Sequence, residues 1–189
     1  METAGLINSI ISATSSIDAG RKGFAIKGKA EEGRISYEKG ITLALSVFKE
    51  AQSAADPLTL ILAEYTFLTQ ELELCHETDK NSRNSLTQAI QSFDDAFIVL
   101  EVVEDKALYH AVDKSHPRHK DYRVSGFPKD SFHVALGSHK TRIKNMLRTP
   151  GVDPIEKALL EQRLANLSTA QGGYVEKQKK AMGARIYTK

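Results

Sequence analysis

Histidine is the side chain of this sequence best placed to do chemistry, because five of the six histidines lie between residues 110 and 147. Neutral imidazoles together with a carboxylate are typical ligands of zinc. A loop folded back on the helix that follows it could bring His116, His119 and Asp121 to a common point with His133 or His139. No recognised ligand spacing supports such a site, so we predict no cofactor and keep zinc as an alternative.

His139 also has a simpler interpretation. It stands at heptad spacing between Leu136 and Ile143, on the apolar stripe of a predicted helix. A histidine in that position is more often a hydrogen-bonded core residue than a ligand. His133 lies six residues earlier, or about 240° around the helix, so the two histidines do not share a face.

A second pattern of metal ligands begins at Glu73 and His76, which have the Glu-x-x-His spacing of di-iron helical bundles. Asp130 and His133 form an imperfect mate. Both pairs lie at predicted helix ends, whereas a di-iron site needs them in the middle of a bundle. The pattern therefore stays a minor alternative.

Basic residues give the same stretch an electrostatic interpretation, since residues 110–148 contain nine Lys and Arg against three Asp. The interleaved aromatic residues Tyr122, Phe127 and Phe132 could stack on bases. The candidate polyanion-binding residues are Arg118, Lys120, Arg123, Lys129, Lys140, Arg142 and Lys144. Binding of nucleic acid or another polyanion through these residues and the basic C-terminal tail is an alternative function. It is not the leading one, because no motif defines it and the pI is only about 8.5.

The segment Lys114 to Pro128 is predicted to be one long irregular loop, because Pro117 and Pro128 disfavour helix at the residues before them. Loops of that length inside a compact domain are unusual and are often functional. Part of any functional site is therefore expected in this loop.

A different motif occurs among the five glycines between residues 20 and 40. Gly23 to Ala30 misses the phosphate-binding pattern G-x-x-x-x-G-K-[ST] by one residue, since Ala30 has no hydroxyl to hold Mg²⁺. No apolar strand precedes Gly23. We predict a loosely ordered segment over residues 1–30, with a short amphipathic helix in its first 20 residues.

The elements that must position these residues are helices. Apolar residues at helical spacing predict four long helices, near residues 31–54, 57–76, 82–104 and 129–148. A fifth helix is predicted from 153 to about 171, and Gly172 and Gly173 are expected to end or bend it. Asp56-Pro57 and Asp153-Pro154 each supply an N-cap and a proline for the first turn. The helix from residue 57 carries the broadest apolar surface and is predicted to be central. We expect an all-α single domain: an antiparallel up-and-down bundle of five or six helices over residues 31–182, with a basic tail at 183–189.

The pattern A-x-x-x-F-x-x-A at Ala44 to Ala51 and again at Ala89 to Ala96 resembles the second helix of tetratricopeptide repeats. The resemblance implies an array of helical hairpins as the alternative architecture. The repeat's first-helix W, L-G and Y positions are not found, and the predicted segments run about 20 residues. A bundle is therefore the preferred fold.

Composition narrows the functional class. No apolar run approaches the roughly 20 residues of a membrane span, the N-terminus lacks the basic and apolar regions of a secretory signal, and a single cysteine excludes an internal disulfide. We therefore expect a cytoplasmic protein. Residues 1–109 carry 10 Lys and Arg against 17 Asp and Glu, and residues 110–189 carry 16 against 7, so oppositely charged surfaces are expected to attract each other within the fold or between subunits.

Taken together, these features predict a non-enzymatic binding or scaffold protein that acts through contacts with a protein partner or in a homo-oligomer. No nucleophile motif argues for catalysis: no G-x-S-x-G elbow occurs, and Cys75 stands on a helix seam.

Overall fold

The computed structural model describes the backbone of residues 3–54, 56–104 and 129–187 and the side chains of residues 4–54, 56–93, 136–174 and 176. Within these ranges the chain forms six α-helices and no strand. In chain order they are α1 (Thr3–Phe24), α2 (Ala30–Ala54), α3 (Pro57–Leu74), α4 (Lys80–Glu104), α5 (Lys129–Arg148) and α6 (Pro154–Tyr187). The predicted all-α helical bundle is confirmed.

Local capping fixes where two of the helices begin. The side chain of Asp56 accepts a hydrogen bond from the backbone N–H of Thr59 at 3.3 Å, and Pro57 occupies the first turn of α3. Asp153 in the same way accepts from the backbone N–H of Ile155 at 3.0 Å ahead of α6. A carboxylate at this position satisfies a backbone donor that has no partner inside the helix, so both predicted helix starts are confirmed.

The helices surround one hydrophobic core. Helix α3 packs on α1, α2, α4 and α6, while α5 packs on α4 and α6. This places α3 in the centre, as its broad apolar surface predicts. The largest fully buried side chains include Phe48, Phe93 and Tyr174, drawn from three different helices.

Close packing of α1 on α2 explains the glycines near the N-terminus. A Cβ atom added to Gly20 would lie 2.6 Å from the carbonyl oxygen of Gly33 and from Cβ of Tyr37, and one added to Gly40 would lie 2.7 Å from the carbonyl oxygen of Ala13. The two backbones touch at these positions, where no side chain fits. The short helix predicted in the first 20 residues is present and extends over Thr3–Phe24, so the N-terminal segment is more ordered than expected. Gly23 belongs to this helix rather than to a phosphate-binding loop.

Helix α6 also extends further than its sequence predicts. The fifth helix was expected to end or bend at Gly172 and Gly173, yet α6 continues from Pro154 to Tyr187. A Cβ atom on Gly173 would lie 2.7 Å from Cγ of Pro57. Gly173 thus lets α6 approach the first turn of α3, and it does so without ending the helix.

Helix length argues against the tetratricopeptide alternative, since the described helices run from 18 to 34 residues and the helices of a 34-residue repeat are about a dozen residues long. Among the residues that the structure describes, no helix is both long and apolar enough to cross a membrane. The loop predicted from Lys114 to Pro128 lies outside the described residues. The side chains of the predicted basic tail at 183–189 lie outside them as well.

Candidate functional site

A buried cluster of three ionisable side chains joins α3, α5 and α6. The carboxylate of Glu64 accepts a hydrogen bond from Nε2 of His139 at 2.7 Å. It also accepts from the guanidinium of Arg163, at 2.5 Å from the terminal nitrogen to Oε1 and at 3.1 Å from Nε to each oxygen. All three residues are at least 97% buried, with exposures of 1%, 3% and 3%. We call Glu64, His139 and Arg163 the buried triad.

Electrostatics hold Glu64 and Arg163 in their charged forms. Burial raises the pKa of Glu64, but the charge of Arg163 and the hydrogen bond from His139 lower it more, and the result is a pKa of about 2. Burial lowers the pKa of the Arg163 guanidinium, yet the adjacent Glu64 carboxylate raises it above its usual value overall. Glu64 and Arg163 therefore form a stable ion pair inside the core.

Aromatic rings complete the surroundings of the triad. Cζ of Arg163 lies 4.4 Å from the centroid of the Phe67 ring, a distance suited to a cation–π contact. The ring of Phe93 meets His139 edge to face, with the centroids 5.2 Å apart. Nδ1 of His139 is buried and has no hydrogen-bond partner in the described part of the chain. A carboxylate that orients an imidazole is also the arrangement of a general base, but burial leaves these atoms out of a substrate's reach.

An open cleft of about 520 Å³ lies beside the triad, between α1, α3, α4 and α5. Phe67 belongs to both features, because it lines the cleft and contacts Arg163. The other apolar lining residues are Ile17, Leu74, Leu86 and Met146. The remaining lining residues are mostly polar or charged. A concave site of this size that combines apolar side chains with convergent polar groups is a candidate ligand-binding site.

Arg142 and Glu71 differ from the other charged side chains of the cleft in having no hydrogen-bond or ion-pair partner among the described residues. Both are half-buried and line it, from α5 and α3 respectively. Neither forms a hydrogen bond or an ion pair with any residue that the structure describes. Burial lowers the pKa of Arg142, and the charge of Glu71 raises it in part, so the two groups sense each other across the cleft without pairing.

The remaining charged groups around the cleft are already engaged. Lys22 pairs with Asp18 at 2.8 Å, and Arg21 lies 3.7 Å from Glu156 on α6. At the start of α4, the side-chain hydroxyl of Ser82 and its backbone N–H, the latter at 3.1 Å, donate to Asp79, and these hydrogen bonds lower the pKa of Asp79. The polar chemistry still open to a ligand is thus concentrated at Arg142 and Glu71.

The cleft also includes Cys75 and His76, at the turn between α3 and α4. Nδ1 of His76 lies 2.7 Å from the hydroxyl of Thr78 and accepts from its backbone N–H at 3.2 Å. Among the described residues no group of three or more His, Cys, Asp or Glu side chains is placed to hold a metal ion. Glu73 and His76, which have the Glu-x-x-His spacing, lie at the end of α3. The side chains of Asp130 and His133, the second pair, are outside the described set.

The four candidate metal ligands are not brought together by any described contact. His139 belongs to the buried triad, which confirms the prediction of a hydrogen-bonded core residue. His133 lies in α5, but its side chain is outside the described set, and His116 and His119 fall in the segment 105–128, which is not described. A zinc site therefore remains an untested prediction.

Of the seven candidate polyanion-binding residues, four have side chains outside the described set and three are placed in the structure. Arg118, Lys120 and Arg123 lie outside the described residues, as does the side chain of Lys129, the first residue of α5. The other three are placed: Lys140 donates to the side chain of Gln171 at 3.3 Å, Arg142 lines the cleft and Lys144 is exposed. Arg142 is two positions, or about 200°, from Lys140 and from Lys144 on the helix, so it lies on a different face from those two lysines, which are four positions apart and share one.

Glu64, Glu71 and Arg163 were not among the residues predicted from the sequence. A signal for two of them was available. Glu64 stands three residues after Ile61 and four before Leu68, and Arg163 stands three after Leu160 and four before Leu167. Charged residues at apolar-stripe positions of two helices, together with His139 on a third, indicate a buried ion pair.

No family model, curated protein or solved structure matches this chain.

Proposed function

We propose that this protein is a non-catalytic binding protein and that the cleft between α1, α3, α4 and α5 is its binding site. The observation that carries the proposal is the pair of half-buried charges Arg142 and Glu71, which have no hydrogen-bond or ion-pair partner among the described residues and line a cleft of about 520 Å³ beside five apolar side chains. A buried or half-buried polar group without a protein partner costs free energy that a bound ligand recovers. Binding proteins keep such groups for recognition.

The buried triad supports binding rather than catalysis. The triad joins three helices beside Phe67 and holds that wall of the cleft in place. A rigid wall preserves the shape of a preformed site, which lowers the entropy cost of binding. In this role the triad never contacts the ligand.

Site-specific photo-cross-linking tests the proposal. Met146 lines the cleft, whereas Lys144 is exposed on the same helix. Each is replaced in turn by p-benzoylphenylalanine, and the full chain is irradiated in an extract of its source cells. We expect an adduct of one defined small mass at position 146 and none at position 144, read by intact-protein mass spectrometry. Equal adducts at both positions, no adduct, or capture of a protein at position 146 would each contradict a small-molecule site.

Exposed apolar side chains favour a homo-oligomer as a second candidate. Around the turn between α1 and α2, Phe24 is 45% exposed, Ile26 50% and Ile35 63%. Contact with a second copy of the chain would cover them. Sedimentation velocity should then show a dimer that Ile35→Glu converts to a monomer; a wild-type chain that is monomeric at every concentration would exclude this candidate.

A further inference from the structure

We propose that the cleft binds an apolar α-amino acid as its zwitterion, with the ligand carboxylate at Arg142, its ammonium group at Glu71 and its side chain against the apolar lining. The inference rests on the function proposed above, because it names the ligand class of the same cleft. It follows from three features of the lining: two charges of opposite sign that have no partner among the described residues, a group of apolar side chains, and the ion pairs or hydrogen bonds that the other charged groups already form.

Charge complementarity selects a ligand with both signs. Arg142 comes from α5 and Glu71 from α3, and neither meets a hydrogen-bond or ion-pair partner in the described part of the chain. A ligand with a carboxylate alone would gain from Arg142 and be repelled by Glu71. An amine alone would have the opposite problem. A zwitterion satisfies both groups, and charge-assisted hydrogen bonds of this kind are the stronger ones.

The electrostatic state of Arg142 supports the same assignment. Burial lowers the pKa of its guanidinium, and the charge of Glu71 raises it in part. The side chain is thus a cation taken partly out of water with an incomplete countercharge. A ligand carboxylate supplies the missing countercharge, while its ammonium group keeps the charge of Glu71 balanced.

The apolar lining selects the remainder of the ligand. Leu74, Leu86 and Met146 line the cleft from three different elements, and Phe67 closes the side next to the triad. Lys22 and Asp18 pair with each other at 2.8 Å, so they offer a ligand less than Arg142 and Glu71 do. An apolar side chain gains free energy roughly in proportion to the area it buries there. Leucine is the simplest probe with this combination of groups.

Calorimetric titration of the full chain with three matched probes tests the assignment. L-leucine carries both charges, 4-methylpentanoate lacks the ammonium group, and 3-methylbutylamine lacks the carboxylate. We expect L-leucine to bind at least roughly tenfold more tightly than either of the others, because each loses one charge-assisted hydrogen-bonded contact.

Two variants locate the contacts. Arg142→Met should weaken L-leucine binding roughly tenfold or more, and Glu71→Gln should remove the advantage of L-leucine over 4-methylpentanoate. Lys144→Met is the matched control, because Lys144 is exposed on the same helix as Arg142. It should leave all three affinities unchanged. Circular dichroism of each variant checks that the bundle is folded, and a change in the ratio between probes is not an effect that misfolding produces.

The possible failures separate this inference from the proposed function. If a probe with one charge binds as tightly as L-leucine, the zwitterion assignment is wrong while the cleft remains a binding site. If L-leucine gives no binding heat, the ligand class is wrong, and the cross-linking result at position 146 decides the proposed function by itself. Binding of L-leucine that Arg142→Met leaves unchanged would also overturn the assignment, because the ligand would then lie elsewhere.

Discussion

Glu64 accepts hydrogen bonds from two other helices at once, from His139 on α5 and from Arg163 on α6. Moving such charges out of water is costly, and their attraction roughly balances that cost when every group is paired. The triad is therefore expected to specify how α3, α5 and α6 meet more than it adds net stability. Loss of Glu64 or Arg163 alone is a different matter, because it leaves the other charge buried without its partner.

Substitution of Arg163 by methionine should for this reason be strongly destabilising. We expect Arg163→Met to lower the free energy of unfolding by about 3–5 kcal/mol, since the carboxylate of Glu64 then stays buried without its cation. The triple variant Glu64→Leu, His139→Leu, Arg163→Met should recover most of that loss, because it leaves no charge in the core. Urea unfolding followed by circular dichroism measures both. A single variant that loses less than about 1 kcal/mol would show that the triad has little influence on stability.

Helix boundaries could be predicted from the sequence where the residues that determine them lie close together in the chain. The starts of α3 and α6 followed from Asp56-Pro57 and Asp153-Pro154, because capping involves residues only a few positions apart. The persistence of α6 beyond Gly172 was not predictable, because the reason for Gly173 is its contact with Pro57, more than a hundred residues away in the chain. A short helix in the first 20 residues was predicted, but its close contact with α2 was not, since the role of Gly20 and Gly33 depends on the packing of α1 against α2.

The neighbouring glycines of α6 provide a matched pair for testing this contact. Gly173→Ala places a Cβ atom 2.7 Å from Cγ of Pro57, whereas Gly172→Ala meets nothing within 4 Å. We expect Gly173→Ala to destabilise the protein by about 1–3 kcal/mol through overpacking. Gly172→Ala should stabilise it by about 0.5–1 kcal/mol, the usual gain for alanine within a helix. Thermal or urea unfolding of the two variants provides the comparison, and equal effects would show that α6 does not approach Pro57 this closely.

Ion pairs join the acidic and the basic half of the sequence, but the cation does not always come from the basic half, as net charge alone would suggest. Glu64 in the acidic half pairs with Arg163 in the basic half, as expected. Arg34 with Asp153, and Arg21 with Glu156, pair in the opposite sense, with the cation in the acidic half. The attraction between halves is thus carried by particular residues. The triad could not be located from net charge, because its members lie 75 and 99 residues from Glu64.

The stability of the whole bundle should depend on pH through Glu64. Its pKa falls from a usual value of 4.5 to about 2 on folding. A carboxyl group whose pKa is lowered on folding contributes stability that is fully present above the unfolded value and is lost as the pH falls through the folded one. The loss therefore lies between pH 4.5 and about 2, and a shift of this size corresponds to roughly 3 kcal/mol.

Urea unfolding at a series of pH values below neutrality should thus show stability falling steeply in that window. Glu64→Gln should flatten this part of the profile, because no carboxylate is left there to protonate, while Glu161→Gln, at an exposed position of α6, should leave it unchanged. Carbon-13 NMR titration of the Glu64 carboxyl in the unaltered chain gives a direct reading that does not depend on how well the variant folds. A titration midpoint near the usual 4.5 would mean that Arg163 and His139 do not hold the carboxylate in its charged form, and that the wall behind Phe67 is not fixed by an ion pair.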